Sequence, residues 1–216
     1  MAKIRPKIHF LCSACGDDFP KWYGQCPSCK EWGSLSEYKI SHKKNGRKLE
    51  TRESRSLASI LAQEPGTRIS TGLKEADRVL GGGLLSGSLL LLGGSPGVGK
   101  STLALHICAG IDRKAFYVSA EESEEQVGLR ARRLNVNSEH LHLSGENELD
   151  GIISHIERIS PDLVIIDSIQ TIMNSGLDSL PGSPSQLRDC GQRFLEVSKQ
   201  KGVIIMIIGH VTKEGT

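Results

Sequence analysis

One octapeptide limits this chain more than any other feature. Gly94-Ser95-Pro96-Gly97-Val98-Gly99-Lys100-Ser101 fits G-x-x-x-x-G-K-[ST] in full. The pattern works in one setting: an apolar strand feeds the loop and a helix leaves it. Backbone N–H groups and the helix N-terminus then converge on an anion. The apolar burst Leu89–Leu92 precedes the loop and a helical stretch over Thr102–Ile111 follows it. Gly94 to Thr102 are therefore the candidate phosphate-binding set. Lys100 is expected to reach the β- and γ-phosphates of ATP, and the Ser101 hydroxyl to ligate Mg²⁺.

The chain around the loop keeps the same alternation. Apolar bursts predict strands over Ala115–Ser119, Leu141–Leu143, Leu163–Ile166 and Val203–Ile208. Amphipathic stretches predict helices over Ser123–Leu134, Leu149–Ile159 and Ser185–Lys201. Such alternation forces parallel pairing with helices on both faces, so residues 65–216 are expected to form an α/β P-loop NTPase core. Asp167 closes an apolar run and is the candidate second Mg²⁺ residue. Glu121 and Glu122 follow Ala115–Ser119, at the end of the sheet where ligands bind in open α/β folds. Either could orient the attacking water; an acidic first helical turn, with Glu124 and Glu125, is the competing reading. His210 ends the last burst, with Thr212 and Lys213 beyond, and fits either a γ-phosphate sensor or a hydrogen-bonded structural histidine.

The N-terminal part is built differently. Cys12, Cys15, Cys26 and Cys29 read C-x2-C-x10-C-x2-C, the spacing of two knuckles on one tetrahedral ion. Structural zinc suits four thiolates, which leave no open position for catalysis. Two disulfides or a redox dithiol pair are the alternatives. So short a segment cannot bury enough surface to fold alone, so metal must supply folding free energy over residues 1–38. Phe10, Trp22, Tyr23 and Trp32 are expected to form an apolar shell around that site. Cys108 and Cys190 lie in helical patterns and are expected to be core residues.

Residues 39–64 are rich in Lys and Arg and show little apolar periodicity before Leu57, which predicts a basic linker. It is either a solvated tether or a contact for a phosphate backbone. Net charge is divided unevenly. Residues 1–60 carry 12 Lys/Arg against six Asp/Glu, while the remainder carries 15 against 19. With 24% charged residues, wholesale disorder and a coiled coil are excluded. No apolar run is long enough to span a bilayer and no apolar signal core follows the basic N-terminus, so a cytoplasmic protein without membrane contact is expected.

Further residues carry a resemblance. Pro20-Lys21-Trp22-Tyr23-Gly24-Gln25 between the cysteine pairs, Ser70-Thr71-Gly72, Asp77 to Gly83, Val118-Ser119-Ala120-Glu121-Glu122-Ser123 and Gly209 to Gly215 accompany the phosphate loop in order. In these the chain resembles the bacterial RadA (Sms) DNA-repair ATPases over nearly its whole length. The resemblance implies a RecA-like, DNA-dependent ATPase that binds single-stranded DNA, promotes branch migration of recombination intermediates and assembles as a homo-oligomeric ring. Branched DNA and recombinase filament proteins are further implied partners. By the same resemblance Glu121 is the water-activating glutamate, His210 the γ-phosphate sensor, and the loop Asn174–Ser185 a DNA contact.

The chain ends at Thr216, whereas that family continues with a Lys-Asn-Arg-Phe-Gly motif and a Lon-like domain. The expectation is a fragment that binds zinc and ATP and lacks branch migration alone. Two rival readings remain: another RecA-like helicase or ATPase, and a non-catalytic zinc module that recruits a partner beside a degenerate ATPase core.

Overall fold

The computed structural model describes residues 8–39, 54, 56–61, 68–177 and 179–210. Most of the expected linker, and Thr212 and Lys213, lie outside them. The chain divides into two compact units, residues 1–65 and 66–216.

In the first unit, β1 (Ile8–Cys12) pairs antiparallel with both β2 (Asp18–Phe19) and β3 (Leu35–Lys39). Its core is Cys12, Cys26 and Leu35, with Phe10, Cys15 and Phe19 packed against them. Phe10 joins this shell as expected, but the indoles do not: Trp22 is 61% and Trp32 72% exposed. Gly24 lies between them, its Cα facing both rings, so they flank the backbone rather than cover the sulfurs. A short helix, α1 (Leu57–Leu61), interrupts the segment expected to be a tether.

The second unit opens with a turn-rich entry: β4 (Arg68–Ile69), α2 (Lys74–Val79) and β5 (Leu84–Leu85), with β4 and β5 antiparallel. Asp77 organises it. One carboxylate oxygen accepts from the Thr71 amide (2.8 Å) and hydroxyl (2.7 Å), and the other from Ser70 (2.6 Å). These donors, Ser70 first, hold the carboxyl below the usual aspartate range. The entry packs on the end of α3 (Lys100–Gly110) through Gly110, where a Cβ would stand 2.2 Å from the Thr71 carbonyl oxygen.

The core then follows as β6 (Leu89–Gly94), α3, β7 (Ala115–Ser119), α4 (Glu124–Arg133), β8 (Leu141–Ser144), α5 (Leu149–Ile159), β9 (Leu163–Asp167), α6 (Pro184–Lys201) and β10 (Ile204–His210). The five strands are all parallel, in the order β6-β10-β9-β7-β8. Alternate strand residues feed two separate cores. Phe116, Val118, Val164, Ile166, Ile205 and Ile207 pack against α5 and α6. Ala115, Tyr117, Leu163, Ile165, Ile204 and Met206 pack against α3 and α4. Burial on both faces is why these strands are continuous apolar runs rather than alternating ones.

The expected elements are present, with shifted ends. Helix starts follow side-chain caps: Ser123 forms a capping box with Gln126, Glu148 accepts from the amides of Asp150 and Gly151, and Ser183 caps α6 ahead of Pro184. β6 and β10 run two residues further than hydropathy indicates, through glycines and His210, because their ladder pairs Gly209 with Gly93 and His210 with Gly94.

Candidate nucleotide and metal sites

The phosphate loop links β6 to α3 as the motif requires. Gly99 caps α3 at φ 98°, in the left-handed region where a side chain is strained, so the turn needs glycine there. Ser101 and Thr102 lie in the first turn of α3, and Pro96 and the exposed Val98 lie on the loop itself. The buried Lys100 folds back onto the loop. Its Nζ donates to the carbonyls of Gly94 (2.8 Å) and Ser95 (2.9 Å) and stands 3.3 Å from His210 Nδ1.

Three strand ends converge beside it. Asp167 ends β9 and accepts a short hydrogen bond from the buried Tyr117 of β7. Glu121, just past β7, accepts from the fully buried Ser168 hydroxyl at 2.5 Å, and its Oε1 lies 3.7 Å from His210 Nε2. His210 thus stands between the ammonium of Lys100 and the carboxylate of Glu121. The two adjacent glutamates go separate ways: Glu122 turns to Arg130 of α4, 2.7 Å from Nη1. Of the two, Glu121, the expected glutamate, is the one beside His210 and Ser168.

Tyr117, Arg130 and Ser168 are polar members of this cluster that the sequence reading missed. A tyrosine inside an otherwise apolar strand was the available signal, since a buried phenol needs a partner. Burial, together with the Asp167 charge, pushes the Tyr117 phenol far up, so it stays protonated and donates. Identifying the partner requires the β7–β9 register, which pairs Tyr117 with Ile165 and Ser119 with Asp167.

The loop Asn174–Ser185 is tied to α6 where it is described. Gln186 accepts from the Asn174 amide (2.8 Å) and donates to the carbonyls of Asn174 (3.1 Å) and Ser179 (2.9 Å).

In the first unit the four sulfurs of Cys12, Cys15, Cys26 and Cys29 lie within 4.8 Å of one another. The Cys12–Cys29 and Cys15–Cys26 separations are 3.6 and 3.7 Å. A tetrahedron with Zn–S bonds of ~2.3 Å has edges of about 3.8 Å, so the donor set fits a structural zinc. The cysteines are free thiols rather than disulfides. Burial raises the Cys12 thiol, but the bonds from Ser34 and the amides of Cys15 and Ala14 outweigh it and bring it down to about 6. Burial pushes Cys15 up to about 12. Cys108 and Cys190 are buried in α3 and α6, where burial likewise raises them to about 12 and about 11, values of inert core thiols.

Residues 60–216 match the family described as "AAA domain", which is most of the chain. The chain belongs to the AAA-domain family. Residues 10–37, ahead of the AAA domain, match "Rubredoxin metal binding domain", in agreement with the sulfur geometry. Curated relatives align along both matched segments, in line with the resemblance to bacterial RadA. The DNA repair protein RadA of Bacillus subtilis is 41% identical over 225 residues, covering 100% of this chain and 49% of the relative. Those of Rickettsia bellii and Haemophilus influenzae are 43% and 38% identical, over 98% and 100% of this chain and 48% and 49% of the relatives. The chain spans about half the length of the curated relatives it matches. Among the described residues no helix is long and apolar enough to cross a membrane.

Proposed function

We propose that the AAA domain binds and hydrolyses ATP as the motor of a DNA-repair protein. The observation that carries this reading is the meeting of Lys100, Asp167, Glu121 and His210 at one end of a parallel sheet. Residues Gly94 to Thr102 hold the phosphates, with Lys100 leaving the loop carbonyls for the β- and γ-oxygens. Ser101 and Asp167 hold Mg²⁺, which neutralises developing charge on the phosphates when bound. Glu121 takes a proton from the attacking water, and Ser168 fixes that carboxylate meanwhile. His210, touching both Lys100 and Glu121, reports whether a γ-phosphate is present.

The two glutamates supply the test. Glu121→Gln is expected to lower ATP turnover by roughly 10²–10⁴-fold with nucleotide affinity retained, as for loss of a general base. Glu122→Gln, at a carboxylate that faces Arg130 rather than Ser168 and His210, is expected to lose less than about threefold. Equal losses in the two variants would overturn the assignment.

In the longer proteins this motor acts on single-stranded and branched DNA in recombinational repair, driving branch migration as a ring. The names of the relatives and the net positive charge of residues 1–60 support this reading. The zinc unit docks, on DNA or on a recombinase filament protein, and its exposed Trp22 and Trp32 favour that role. DNA binding measured against salt, with and without residues 1–60, tests it. A steep slope confined to the longer chain supports phosphate contacts there; identical slopes exclude them.

A further inference from the structure

We infer that Arg130 is a positioning residue for the metal-facing carboxylate of Asp167, acting through Tyr117. The inference rests on the reading of Asp167 as a magnesium residue and adds what aims it. Asp167 and Tyr117 sit two residues apart in register on neighbouring strands, on the sheet face covered by α4. The single phenolic proton of Tyr117 goes to Asp167 Oδ2. Its oxygen must then accept, and the donor is Arg130 Nη2 at 3.4 Å, which also lies 4.0 Å from the same Oδ2. On this reading the other carboxylate oxygen, Oδ1, is the one that would face the metal shell.

The arginine reaches this position at a cost. Its side chain is only 16% exposed, and its Nε is buried with no hydrogen-bond partner among the described residues. A buried guanidinium with an unmade hydrogen bond is poor stabilisation. A well-packed apolar residue facing Val127 and Tyr117 would serve the fold better, so the fork is explained by what it aims. Its Nη1 stands 2.7 Å from Glu122 while Nη2 donates to the phenol, so one guanidinium faces both the second glutamate and the group that holds Asp167.

The experiment is a magnesium titration of nucleotide binding, read with a fluorescent ATP analogue on the full chain. In the wild type, binding is expected to tighten with Mg²⁺. Tyr117→Phe keeps the ring and its packing but removes the relay, and Arg130→Gln keeps a planar donor but removes the charge. Both are expected to raise the half-saturating Mg²⁺ concentration about tenfold while leaving metal-free nucleotide binding within about twofold. A purely structural role would instead lower thermal stability and weaken both readouts together. Unchanged magnesium dependence in a folded Tyr117→Phe protein overturns the inference and leaves the reading of Asp167 standing. A wild type indifferent to Mg²⁺ overturns that reading, and the inference with it.

Discussion

The Lys100 ammonium lies 3.3 Å from Nδ1 of His210, and because an ammonium only donates, that ring nitrogen is the acceptor. Two loop carbonyls hold the same ammonium, so on the proposed reading a triphosphate would have to draw it away from three partners at once. On the proposed reading, arrival of a γ-phosphate would release the histidine, and that release would be the sensing event at the end of β10.

Thermal unfolding tests the lysine. With ATP–Mg²⁺ at about 100 times its Kd, linkage is expected to raise the wild-type Tm by roughly 5–10 °C. Lys100→Ala is expected to retain less than about a fifth of that shift. A full shift in the variant would show that the lysine does not hold phosphate.

The zinc unit makes a separate prediction. Cys26 is fully buried among the four sulfurs, and Cys26→Ser is expected to lose bound zinc and unfold residues 8–39. Protection of the AAA domain by ATP–Mg²⁺ should survive, because the sulfur cluster and the phosphate loop fall in different compact units. Zinc content by atomic absorption beside the ATP-induced Tm shift reads both, and loss of both together would contradict the division.

Two glycines in helices should respond with opposite signs. At Gly110 a Cβ would meet the Thr71 carbonyl oxygen at 2.2 Å, so Gly110→Ala is expected to cost roughly 1–3 kcal/mol. At Gly128 in α4 nothing lies within 4 Å of that position, and Gly128→Ala is expected to gain up to about 1 kcal/mol from helix propensity. Denaturant midpoints measured on both variants decide it; a loss at Gly128 would mean that the helix face is packed.

Asp77 predicts an acid-sensitive entry segment. Its folded-state carboxyl titrates below the unfolded value, so its contribution is complete above the unfolded carboxyl range and disappears as pH falls through the folded one. Asp77→Asn is therefore expected to be less stable than wild type at pH 7, with the difference shrinking as pH falls through the folded-state carboxyl value. Parallel pH–stability curves would show that the bonds to Ser70 and Thr71 contribute nothing.

The fold was legible because its strongest signals are local. Leu163–Ile166 and Val203–Ile208 are apolar enough to require burial on both faces, and the glycine spacing fixes how β6 meets α3. The entry segment escaped notice because β4 and β5 are two residues each, too short for a hydropathic period, and the adjoining turn is organised by Asp77 through polar bonds to Ser70 and Thr71. At the candidate site, Lys100 and Asp167 were visible as motif positions. Glu121 was singled out too, but the partners of the two glutamates were not, because Ser168 lies 47 residues after Glu121 and Arg130 is reached only once α4 forms. Phe10 was placed correctly, but Trp22, Tyr23 and Trp32 stay exposed because the small interior is already made of Cys12, Cys26 and Leu35 with Phe10, Cys15 and Phe19 packed on them.

Strands apolar on both faces raise a problem of alignment. Sliding β9 by one residue past β7 would exchange one greasy surface for another, so solvent exposure does little to penalise the slip. What resists it is the polar tip: a shifted Asp167 would leave the Tyr117 phenol without its acceptor inside the protein, a loss of roughly 1–3 kcal/mol. The same short bond that orients the carboxylate thus also indexes the middle of the sheet, and a chain that misaligns there forfeits its fold and its chemistry in one step.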